Sequence, residues 1–183
     1  MFGIALVTAI GMLRPQTGAL PVPADVPDAV CDVEGVDQTV FYARSPVAVD
    51  GTYSFQAGPH SLTDVMGGDP AELVDLEMAE GSSDLAGHTL ISPRELADEH
   101  GWQVGGTVEL SAPGISQDTI ELTVGGIFQH SSVFPKFIVS YDAATELVPP
   151  QANTILMVGV NGDGTVEHEQ LRANLEDAVE DHS

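Results

Sequence analysis

The pattern nearest to a catalytic signature is His168-Glu169-Gln170-Leu171-Arg172. A zinc peptidase needs two histidines four apart on one helical face, with the intervening glutamate as base. Arg172 stands where the second ligand belongs, and a cation cannot hold a metal. His130-Ser131-Ser132 sets hydroxyls beside an imidazole, but adjacency in sequence is not the geometry that activates a nucleophile, and no G-x-S-x-G elbow occurs. Asn161-Gly162-Asp163-Gly164-Thr165 opens like a calcium loop. Its sixth position is Val166, where the bend needs glycine, and its twelfth is Arg172, where a bidentate glutamate belongs, so it reads as a turn.

The glycine pairs Gly67-Gly68, Gly105-Gly106 and Gly125-Gly126 fit no phosphate-loop spacing and have no lysine near them. Gly125-Gly126 instead suggests a bulge or bend late in a strand. Cys31 has no nearby cation to activate it, and one cysteine makes neither a disulfide nor a Cys/His zinc pattern. His60, His88, His100 and His182 are scattered and read as loop or surface residues. No catalytic, cofactor-binding or metal-ligating residue is therefore assigned, and the expectation is a protein that is not an enzyme.

The chain that carries these residues has 183 of them, with 28 acids against 5 Lys plus Arg, a formal net charge of -23. That length suits one domain, or two small subdomains, burying roughly two-thirds of the unfolded surface. An apolar fraction of 43% argues against an acidic disordered chain. So few cations exclude binding to a nucleic-acid backbone, and the negative field would repel an anionic lipid surface. The acidic excess suits a solvating surface in saline or extracytoplasmic surroundings.

Residues 1–13 are uncharged. As a helix they would span about 20 Å, short of the roughly 30 Å of a bilayer core. A signal peptide would carry a basic start, which is missing; a buried soluble helix and the end of a membrane helix remain open. Residues 14–35, with Pro15, Pro21, Pro23 and Pro27, read as an extended lead-in, and 36–183 as the folded domain.

Within that domain, Val36 to Gln56 reads as β structure, with Asp50-Gly51 as a hairpin turn. Asp69-Pro70-Ala71-Glu72 starts a short helix, and Gly81 closes a strand after it. Ser92-Pro93-Arg94-Glu95 predicts a capped helix stopping at Gly101. Thr107–Leu110 and Thr119–Val124 alternate as a half-buried hairpin, whereas Phe137–Val139 and Ile155–Val160 are continuous apolar runs expected of interior strands. Asp142–Val148 is a short helix. From Val166 the chain reads as helix, with Leu171, Leu175, Ala178 and Val179 on one face. Helices and hairpins are interspersed, giving an α+β class with mixed or antiparallel sheets and short helices.

The order of these segments resembles the extracytoplasmic, MacB-like periplasmic core domain of FtsX-like ABC transporter permeases, in its actinobacterial style. The resemblance lies in the Asp69-Pro70 turn, the strand ending Glu80-Gly81, and Ile91-Ser92 before a helix running from Glu95 to Gly101. The strands Val104–Leu110 and Leu122–Phe128 complete it. It covers about residues 1–13 and 66–180. Gly106 replaces the family's usual aspartate, and residues 14–65 match poorly.

The resemblance implies that residues 1–13 are the C-terminal part of a transmembrane helix and that the domain lies outside the plasma membrane. Its implied partners are the remaining permease helices, a cytoplasmic ABC ATPase acting indirectly, and a client outside the membrane. It further implies a non-catalytic role, with no cofactor, in which the domain transmits ATP-driven motion or engages that client. A free-standing secreted or surface binding module is the alternative.

Overall fold

The computed structural model describes residues 25–57, 60–72, 74–132, 134 and 136–180. The expectation for residues 1–13 lies outside the described residues. Among the described residues ten strands form one mixed arrangement: β1 (Val36–Ser45), β2 (Ala48–Val49), β3 (Phe55–Ala57), β4 (His60–Gly67), β5 (Met78–Gly81), β6 (Thr89–Pro93), β7 (Thr107–Ser111), β8 (Thr119–Phe128), β9 (Ile138–Ser140) and β10 (Thr154–Gly162). Their order across the sheet is β10-β1-β4-β9-β6-β8-β7-β2, with β3 paired to β4 and β5 to β8. β4 with β9 and β6 with β8 are parallel; the other pairs are antiparallel. The helices are α1 (Val26–Cys31), α2 (Arg94–His100), α3 (Tyr141–Leu147) and α4 (His168–Glu180). This is the α+β class with a mixed sheet.

Strand alternation sorts the core into two layers. Ala43, Val65, Leu90 and Val139 point to the layer that includes Val26, Val30, Ala97, Ala144, Leu171 and Leu175 from the helices. Val40, Met66, Ile91 and Ile138 point the other way, beneath Leu76, Leu85 and Phe134. A covered sheet needs apolar residues on both faces, which is why β9 is buried throughout. β7 has one face in solvent and keeps strict alternation, with Val108 and Leu110 inside.

Several local expectations shift. Val26–Cys31, inside the lead-in, folds as a short helix because Val26 and Val30 bury completely. Asp69 and Pro70 start only a 3-10 turn, Pro70–Glu72, with Asp69 Oδ1 accepting from the Ala71 amide at 2.9 Å. The cap of α2 is Pro93, whose extended backbone ends β6, so Ser92 falls one residue too early. Asp50 and Gly51 both take positive φ, 47° and 76°, as a tight hairpin turn demands. Only one bridge, Val49 to Thr52, closes beyond it, because β2 goes to β7 and β3 to β4. β10 is apolar, yet it ends the strand order instead of lying inside it.

Gly125 is the bulge that its sequence suggested. Leu90 pairs with Val124 and Ile91 with Gly126, leaving Gly125 over. β5 then crosses so closely that a Cβ on Gly126 would meet Ser82 O at 2.2 Å and Met78 Cε at 2.6 Å.

Candidate functional site

None of the residues weighed as catalytic converges on a reactive centre. His168 and Arg172 lie on the exposed face of α4, and Arg172 Nε donates to Glu176 Oε1 at 2.9 Å. Ser131 Oγ accepts from the Phe134 amide at 3.2 Å, while His130 is exposed. His130 faces an open cleft of about 500 Å³ with Arg94, Glu95, Glu99 and Lys136. Both signs of charge line it, and Arg94 is already paired with Glu80 at 3.0 Å. Cys31 is exposed. The 161–165 segment ends β10 at Gly162 and then turns, with Asp163 Oδ1 accepting from the Thr165 amide at 2.7 Å and its hydroxyl at 2.6 Å. The Thr165 hydroxyl, followed by its amide, holds the Asp163 carboxyl below the usual range. Among the described residues no His, Cys, Asp and Glu side chains group as a metal site.

What the fold does bring together is the first and last described parts of the chain. β1 and β10 are hydrogen-bonded neighbours, running from Val36 opposite Gly162 to Arg44 opposite Thr154. α1 precedes β1, α4 follows β10, and the two helices pack on each other. Asp163 N donates to Gly35 O at 2.9 Å, and Asn174 Nδ2 to Glu34 O at 3.4 Å. Gly35 has φ of 94°, and a Cβ there would strike Val166 Cγ2 at 2.2 Å. Only glycine permits that approach. Leu171 and Leu175 bury the inner face of α4. Phe41 of β1 meets Tyr141 of α3 edge-on at 4.7 Å, tying the paired ends to the next helix.

Two polar anchors hold the sheet, one beside this region and one at its far, β2–β7 end. Asp64 accepts from Tyr42 OH at 2.7 Å and from Arg44 Nε at 3.3 Å, while Arg44 lies 3.7 Å above the Phe55 ring. Burial, then the hydrogen bond to Asp64, pushes the Tyr42 phenol up to about 12. Asp50 Oδ1 accepts from the Glu109 amide at 2.9 Å, and its Oδ2 from Trp102 Nε1 at 3.3 Å. Sequence reasoning marked Asp50 as a turn residue and missed this second task. The Asp64 cluster left no local signal, because its members come from three separate strands.

No protein-family model and no curated protein matches the sequence. Solved structures do. The extracellular domain of the noncanonic ABC-type transporter YknZ from Gram-positive bacteria is 13% identical, with a TM-score of 0.53 over 87% of this chain and 85% of that one. The periplasmic region of MacB from Actinobacillus actinomycetemcomitans is 9% identical, with a TM-score of 0.56 over 91% of this chain and 76% of that one. The fold is the one these permease domains share. At such low identity it is the architecture that is common: the permease-domain fold is reached here with a different set of side chains. No described helix is long and apolar enough to cross a membrane.

Proposed function

We propose that this chain is an extracytoplasmic domain of an ABC-type permease and works by movement, without making or breaking bonds. The observation that supports this reading most directly is the pairing of α1–β1 with β10–α4 in a fold shared with such domains. A domain carried by two membrane helices needs its two attachment points side by side on a common rigid element, and the β1–β10 ladder is that element. Movement of the helices, driven by a cytoplasmic ATPase, then reaches the sheet as displacement of a whole body. The mixed-sign cleft at His130 and the solvent-facing α4 histidine supply no aligned nucleophile and base. In this reading residues 1–13 end a transmembrane helix, 14–35 lead from it, and 36–183 engage a client or pass motion to it.

Cys31 provides the test, since it is exposed and is the chain's single cysteine. In intact cells making the natural full-length protein, a membrane-impermeant maleimide should label the wild type and leave Cys31→Ser unlabelled at this domain. Labelling that occurs only after lysis would place the domain on the cytoplasmic side and end the proposal.

A further inference from the structure

We infer that the β1–β10 ladder and its flanking helices form a clasp, which opens from its Val36–Gly162 end when the two attachments are drawn apart. The inference rests on the tether reading above, and its basis is the register. Val36 and Gly162 form the terminal rung, and α1 leads into that rung exactly where α4 leads out of it. Tension between the ends of the described chain therefore falls on one rung at a time. If the attachments left from opposite ends of the ladder, all its hydrogen bonds would share the load, so the observed arrangement opens at lower force.

Three features favour opening over wholesale unfolding. Among the described strands, β10 pairs with β1 alone, so it can leave while Phe41–Ser45 of β1 stays bonded to β4. A register irregularity between Val36 and Gln38 weakens the loaded end, and a second lies between Tyr42 and Ala43. The contacts that must part first are few: Val26 and Val30 of α1, Leu171 and Leu175 of α4, Val166 against Gly35, and the bonds from Asp163 N to Gly35 O and from Asn174 to Glu34 O. Behind them, five uninterrupted rungs from Gln38 to Tyr42 hold the ladder. Opening exposes Ile155, Val158 and Val160, which are at most 2% accessible when closed, so the hydrophobic effect draws the clasp shut again. The domain follows its two attachments when they move together and yields when they splay.

Optical-tweezer extension of the full chain, held by peptide tags at both ends, tests this. The expected record has two steps. The first releases 26–40 and 154–180, roughly 140 Å of extended chain, at a force several-fold below the second, and it closes reversibly on relaxation. Leu171→Ala should lower the first force and leave the second unchanged. Asn174→Ala should do the same more mildly, and it keeps the core intact should the leucine variant not fold. Val124→Ala, in β8, should lower only the second. A single rupture releasing the whole domain, or α4 variants that lower both forces together, would overturn the clasp. Such a result would leave the extracytoplasmic role standing, whereas failed surface labelling of Cys31 would reject that role and leave the two-step record intact.

Discussion

Tyr42 and Asp64 show how a single proton contributes to the fold. The phenol is held neutral by burial and by donating to a carboxylate, so its folded pKa of about 12 exceeds the 10.0 of a free tyrosine. A raised pKa means that the folded state holds the proton more tightly. The contribution is whole below pH 10 and disappears as pH climbs through 12. The group is partly open to solvent, which screens the effect to about 1 kcal/mol. Urea midpoints should fall across that window in the wild type, and Tyr42→Phe should lose this part of the decline. Gly126 makes the opposite kind of demand, for space. Gly126→Ala should cost about 3 kcal/mol in thermal or urea unfolding, since Ser82 O and Met78 leave no room for a methyl group. The bulge at Gly125 was legible, because two glycines inside an alternating run have few other uses. The crowding at Gly126 was not, since it comes from β5, more than forty residues earlier.

At the level of elements, legibility followed the number of exposed faces. β7 and β8 declared themselves by alternation because one side meets water. β9 and β10 declared only that they were apolar, and an unbroken apolar run does not reveal its place in the sheet. The Asp50-Gly51 turn had the expected backbone, but nothing local could show that the strands on its two sides part to different neighbours. Capping was read one residue early at Ser92, since β6 runs directly into α2. A side-chain cap does form at Ser140, which accepts from the Ala143 amide at 3.3 Å and donates to Gly87 O. Ser140→Ala should therefore cost about 1–2 kcal/mol of unfolding free energy. Glu109 and Glu121 lie directly opposite each other on β7 and β8, with Asp50 beside them. Glu121→Lys should stabilise by about 0.5–1 kcal/mol, a gain that high salt erases in the same urea titration.

Taken whole, the molecule is a covered mixed sheet bearing a net charge of -23. Self-repulsion on that scale should raise the urea midpoint as salt rises from millimolar towards molar at neutral pH; a flat response would mean that acids and cations are better interspersed than their numbers suggest. The sequence supported the class, most elements and the permease resemblance. It could not show the β1–β10 pairing, which joins residues more than a hundred apart and depends on the path of everything between them. Trp102 adds a last consequence. It is the chain's only tryptophan, donates to Asp50, stacks on His100 at 4.7 Å and meets Phe137 edge-on at 5.5 Å. Its intrinsic fluorescence thus reports on the β2–β7–α2 end of the sheet, far along the strand order from β10. Emission should keep its native colour while far-ultraviolet dichroism registers any partial loss of the terminal strand and helix, giving the protein a built-in optical gauge that separates partial from complete melting.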